Sequence, residues 1–170
     1  DETIEFRPFL FQMVSQLIFI RYRRTVFGYL WTLLNPLLMM SVTALVFSSI
    51  YNIDLKTFAI YMFSGQIGFN FFSNSVSQSA QAFIGNESLL LKVYIPRFMF
   101  PLSNVLFVII DNVLMMLALS LIILVIGGKL SLALLFLPFA YLIIFIFSLG
   151  LSLIASILSV YFRDLPHLLV

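Results

Sequence analysis

Few residues in this chain could do chemistry, and their positions limit what that chemistry is. One carboxylate, Asp111, lies fourteen residues beyond Arg97 inside an otherwise uncharged run. A carboxylate deep in hydrocarbon is costly, so it marks either a proton carrier or a group that is neutral or satisfied by Asn104, Asn112 or a neighbouring helix. Six polar residues, Gln66, Asn70, Ser73, Asn74, Ser77 and Gln81, recur at helical spacing. On a helix they occupy one stripe about 100° wide. Such a stripe cannot face lipid. It faces another helix, through hydrogen bonds worth roughly 0.6 kcal/mol each, or it faces a water-filled path. Phe69, Phe71 and Phe72 stand beside it, where aromatic faces suit sugar rings but equally suit a core or a lipid contact.

Other chemistries find no support. His167 is the single histidine, Cys is absent, and no Glu-x-x-His spacing occurs. Neither a metal site nor a thiol nucleophile can be assembled from such a set. No GxxxxGK[ST] phosphate loop is present, so this sequence does not cradle ATP by that route. Arg21, Arg23 and Arg24 form a basic cluster that could meet lipid phosphates or serve as a topological anchor.

The elements that must position these residues are apolar helices. Hydrophobic residues make up 62% of the 170 and charged residues only 9%, with a mean hydropathy of +1.14. Soluble domains carry roughly 25% charged residues, so this surface is built for lipid. A spanning helix needs about 20 apolar residues. Four runs qualify: Thr25–Ile53, Thr57–Gly85, Phe98–Gly128 and Leu130–Phe162. They predict spans at about 26–51, 58–84, 98–126 and 132–161 in one transmembrane domain. Tight turns join the first pair and the last pair. The connection at 86–97 is longer and amphipathic. Pro36 is expected to kink the first span. Ser148, Ser152, Ala155 and Ser159 put small residues on one face of the fourth, which suits close helix packing. Arg163 and Asp164 are expected to pair at its end.

Residues 1–24 follow another pattern. Ile4, Phe6, Phe9, Leu10, Met13, Val14, Leu17 and Ile18 recur at helical spacing with polar residues between them. An interfacial helix with its apolar face in the acyl chains fits this, interrupted as it is by Arg7 and Pro8; a short fifth span is the alternative. The segment is no signal peptide, because its start is acidic and its arginines follow the apolar stretch. No initiator Met is present, and the apolar Leu168–Val170 suggests the opening of another segment, as expected for a piece of a longer protein. Placing 1–24, 86–97 and 163–170 on one side gathers seven of the nine basic residues there, leaving Lys56 and Lys129 opposite. By the positive-inside rule the N-terminus and the 86–97 connection are cytoplasmic.

Three segments carry a family likeness. RYRRTVFGYLWTLLNPLL (21–38), NESLLLKVYIPRFMFPLS (86–103) and LSVYFRDLPHL (158–168) resemble, in order and spacing, ABC-2 type permeases that export polysaccharides. The resemblance covers essentially the whole chain. It implies the interfacial helix and first four spans of a six-span permease, with two more after Val170. It also implies a homodimer working with two separate ATP-binding cassette subunits in the bacterial cytoplasmic (inner) membrane. ATP and Mg would sit on those partners, with no cofactor here. The cargo implied is a lipid-linked polysaccharide, whether an O-antigen of lipopolysaccharide, a capsular chain or a teichoic acid. The family's coupling helix falls on Asn86, Glu87, Leu89, Leu90, Lys92, Val93 and Tyr94, with Pro96 and Pro101 setting the angle into the third span. Arg21, Arg23 and Arg24 would meet the substrate pyrophosphate. Gln66, Phe69, Asn70, Phe72, Ser73, Asn74, Ser77 and Gln81 would line the conduit. Alternatives are an exporter of small lipids or drugs on the same fold, and a proton-coupled carrier using Asp111.

Overall fold

The computed structural model describes residues 6–23, 30–92, 94–125 and 136–169. Every regular element among them is helical: α1 (Arg7–Tyr22), α2 (Leu30–Tyr51), α3 (Leu55–Ala80), α4 (Ala82–Gly85), α5 (Glu87–Lys92), α6 (Met99–Val125), α7 (Leu137–Tyr161) and α8 (Leu165–Leu168). Arg24, Val93 and the expected turn at Gly127–Leu130 lie outside the described residues.

Helix ends follow local chemistry. After α2, Asn52 adopts φ 54°, a left-handed conformation that asparagine tolerates, and Ile53 N–H donates back to the Ser48 carbonyl (3.2 Å). Asp54 then caps α3 by accepting from the Thr57 N–H at 3.2 Å. Pro101 falls in the first turn of α6, where no intrahelical donor is needed.

Three helices are long and apolar enough to cross a bilayer: Leu34–Tyr51 within α2, Met99–Leu124 within α6 and Pro138–Tyr161 within α7. The 26 residues of α3 extend about 39 Å, ample for a crossing, but its polar stripe lowers its hydropathy. The molecule is therefore an all-α membrane protein with three such helices among the described residues, and α3 stands apart by composition.

That polar helix is the centre of the bundle, packed on α2, α6 and α7. Against α6 it runs antiparallel, since Asn104 Nδ2 donates to the Gln78 carbonyl (3.1 Å) and Asn112 Nδ2 to that of Ile67 (3.0 Å). Against α7 it runs parallel. Gly68 faces Ile144, Phe72 stacks on Phe147 with centroids 5.6 Å apart, and Ala80 shares an apolar cluster with Ala155. Its buried ladder is Phe63, Ile67, Phe71, Ser75 and Ser79, at four-residue spacing. On α7, Ser148, Ser152, Ala155, Ser156 and Ser159 are all buried, as close packing of small residues requires.

The N-terminal helix corrects one expectation. Its apolar stripe packs on protein instead of lipid: Val14, Leu17 and Ile18 lie against Phe71, Val105, Phe107 and Val108, and Met13 lies with Phe100. Contact advances in step along both helices, from Phe9 and Phe100 (centroids 5.8 Å) to Arg21 and Asp111, so α1 runs alongside the first turns of α6. Phe11, Phe19 and Ile20 are the apolar side chains it leaves exposed.

Candidate functional site

The polar stripe of α3 stays at the surface of the bundle. Gln66, Asn74 and Gln81 are exposed; Asn70, Ser73 and Ser77 are half-buried. Gln66 Nε2 donates to Asn70 Oδ1 at 3.1 Å, which links two rungs of the stripe. Meanwhile Asn104 and Asn112 of α6 donate to the α3 backbone, and Ser79 Oγ of α3 donates to the Pro101 carbonyl at 3.4 Å, so these interhelical hydrogen bonds do not use the stripe. Of the flanking aromatics, Phe69 is 62% exposed, whereas Phe71 is buried in the core and Phe72 is stacked on Phe147. Phe72 is thus committed to holding α7, and Phe69 remains available at the surface.

At the end of α3 the chain turns through an elbow. Gln81 leaves the helix, α4 follows, and Asn86 ties the corner by donating from Nδ2 to the Ala82 carbonyl (2.9 Å). The Asn86 carbonyl then accepts the Leu89 and Leu90 N–H groups that open α5. Leu89 and Leu90 face inward, against the cluster of Met13, Ala82 and Phe100. Glu87 and Lys92 are exposed on the outside, with Leu91 81% and Tyr94 89% exposed beside them. Leu91 is the residue that sequence reading missed. Nothing local marks it as the leucine left exposed.

Asp111 has a cation against it. Arg21 Nη1 lies 2.9 Å from Asp111 Oδ2, and the same guanidinium stands 5.2 Å from the Phe107 ring centroid. Of the alternatives for this carboxylate, the structure shows a partner on a neighbouring helix, and the first arginine of the basic cluster is committed within the fold. Arg23 is exposed and stands over the Phe19 ring at 5.4 Å. Arg163 and Asp164, expected to pair, are in no ion pair among the described residues; both are exposed where the extended Phe162 ends α7.

The level of this pair along the bundle follows from its neighbours. Pro36, Leu37 and Met40 of α2 meet Phe63 and Ile67 of α3 and Met115 of α6 around a void of about 10 Å³. Asn112, bonded to Ile67, lies at the level of this void. Asp111, next to Asn112, lies at the same level, twelve residues into the Met99–Leu124 stretch, and the Arg21 side chain that meets it is 43% exposed. The stripe from Asn70 to Gln81 continues from this level toward the elbow.

A groove of about 610 Å³ opens between the elbow and the end of α7. Ile84, Leu91 and Phe98 form one wall and Ile157 and Val160 the other, with Arg97 and Arg163 among the lining residues. Among the described residues no group of three metal-ligating side chains converges.

No protein-family model matches the chain. Similarity to individual proteins is clear. The O-antigen export system permease protein RfbA of Myxococcus xanthus is 32% identical over 167 residues, spanning 98% of this chain and 64% of that protein. Two proteins of the same name from Klebsiella pneumoniae are 31% and 29% identical over 149 residues, 87% of this chain and 58% of each. The chain thus spans about three-fifths of the length of the curated relatives it matches.

Proposed function

We propose a function from one premise: the chain belongs to the ABC-2 type family of polysaccharide-export permeases. On that reading it is the membrane part of an ATP-driven exporter that moves a lipid-linked polysaccharide out of the cytoplasm. ATP is hydrolysed, with Mg, on two cassette subunits, and a second copy of the permease completes the path. The protein sits in the bacterial inner membrane, with its N-terminus and the 86–97 elbow in the cytoplasm.

The observation that carries the reading is a row of amide and hydroxyl side chains on the surface of an otherwise apolar bundle. Lipid would leave those groups without partners, at roughly 1–3 kcal/mol each, so the row belongs against water, cargo or a second protomer. This makes α3 a fourth span, buried by its neighbours and wetted along one stripe. The stripe occupies the half of α3 nearer the elbow, which suits the cytoplasmic mouth of a conduit. Exposed Phe69 adds a face on which sugar rings can slide.

The elbow serves as the coupling surface. Leu91 and Tyr94 present apolar area that a single protomer leaves in water, between the charges of Glu87 and Lys92. An ATPase cleft that receives them would bury an aromatic anchor within a polar rim. Arg23, exposed and in no ion pair among the described residues, is the arginine of the basic cluster that fits a pyrophosphate.

The test is export itself. In the full-length permease with its ATPase, Asn70→Trp and Ser77→Trp should cut polymer export at least tenfold while membrane insertion is unchanged. Export at the normal rate would remove α3 from the conduit.

A further inference from the structure

We infer that the Arg21–Asp111 ion pair is a pin that fixes α1 along α6. Through it α1, the elbow and the first half of α6 move as one body. The motion rests on the proposed coupling; the pin does not.

Four observations lead there. The elbow helix α5 contributes Leu89 and Leu90 to the same cluster as Met13 of α1 and Phe100 of α6, so three elements meet at one point. Phe100 is fully buried there and takes the edges of both Phe9 and Phe83. From that point α1 and α6 stay in register for about three turns, through Val14, Leu17 and Ile18 against Val105, Phe107 and Val108. The register closes on a charge pair at 2.9 Å, its guanidinium also over Phe107.

Apolar contact alone would hold two helices together without fixing their tilt, because one oily surface slides over another at little cost. A charge pair differs. The Asp111 side chain is 10% exposed, so breaking its 2.9 Å contact with Arg21 removes a charge pair at a poorly hydrated place. The geometry is therefore defined at both ends of α1, by packed rings at Phe100 and by charge at Asp111. A push on the exposed Leu91–Tyr94 surface passes through Leu89 and Leu90 to Met13 and Phe100. It then reaches Asp111 about 17 Å along α6, next to Asn112, which bonds the α3 backbone at Ile67. Asp111 and Arg21 act here as positioning residues, touching no cargo.

The absence of cysteine from this chain makes the test direct. Introduce cysteine pairs into the full-length permease in membranes, with any cysteine beyond this region replaced. One pair, Met13→Cys with Ala82→Cys, reports the near end of α1 while leaving the Phe9 and Phe100 rings in place. The other, Ile18→Cys with Val108→Cys, reports the far end. Both should join with a short bis-thiol reagent. Asp111→Asn should lower the far yield about tenfold and leave the near yield within twofold. Arg21→Lys should hold both, and the exchange Arg21→Asp with Asp111→Arg should recover the far yield. An unchanged far yield in Asp111→Asn overturns the pin, as does an equal loss at both ends. ATPase stimulation by substrate, measured on the same variants, should fall with the far yield and return in the exchanged protein. Stimulation that is absent even in the parent refutes the coupling reading and leaves the cross-linking result standing.

Discussion

Replacing Ser152 by leucine and by alanine should change stability in opposite senses. Ser152 lies fully buried on α7, where parallel packing against α3 brings small residues together. Its hydroxyl has no hydrogen-bond partner among the described residues, and the same is true of Ser148 and, on α3, Ser75. Ser152→Ala removes an oxygen that forms no bond while keeping the backbone separation, so it should be neutral or stabilising by up to about 1 kcal/mol. Ser152→Leu adds two heavy atoms where no space is exposed. Overpacking of that kind costs about 1–3 kcal/mol, or roughly 5- to 150-fold in the unfolding equilibrium. For a protein of this size or somewhat larger, that is about 2–4 °C of melting temperature per kcal/mol. The assay is the fraction of full-length permease left monodisperse in detergent after heating. A leucine variant that melts with the parent would mean that α3 and α7 do not approach closely. An alanine variant destabilised by more than 1 kcal/mol would mean that the hydroxyl has a partner.

Other outcomes follow from the same geometry. Phe100→Ala, at the meeting of α1, the elbow and α6, should cost about 3–5 kcal/mol and is read by the same heating assay. Asp54→Ala removes the cap of α3 and should cost about 0.5–2 kcal/mol, with Asp54→Asn losing less. Leu91→Ala with Tyr94→Ala should leave melting within about 0.5 kcal/mol, both side chains being exposed. The same variant should lower substrate-stimulated ATPase activity at least fivefold in the assembled transporter. Charge exchange at Glu87 and Lys92 should shift that coupling and its salt dependence, as rim charges do.

The helical, membrane-embedded character of the chain was legible because hydrocarbon imposes one simple demand, long apolar runs. Close packing of α7 was legible for a similar reason, since Ser148, Ser152, Ala155 and Ser159 repeat at helical spacing. Contacts between distant segments were not. Nothing local to Asp111 names Arg21, ninety residues earlier, as its partner. The amphipathic pattern of α1 reads alike whether its apolar side meets acyl chains or Val105 and Phe107. Within ESLLLK, Leu89 and Leu90 read as one apolar side opposite Glu87 and Lys92, as they pack, whereas nothing local marks Leu91 as the leucine left exposed. The break at Gln81 was equally hidden, because Gln81 continues the polar stripe while ending the helix.

Water at the α3 stripe is what the transport reading needs most. Single cysteines placed along α3 in otherwise cysteine-free, full-length permease can be probed in native membranes with a small water-soluble thiol reagent. Gln66, Asn70, Asn74 and Ser77 positions should label rapidly, and Phe63, Ile67 and Phe71 positions should stay unlabelled. Uniform protection of all seven, or labelling without that periodicity, would contradict a wetted face on this helix.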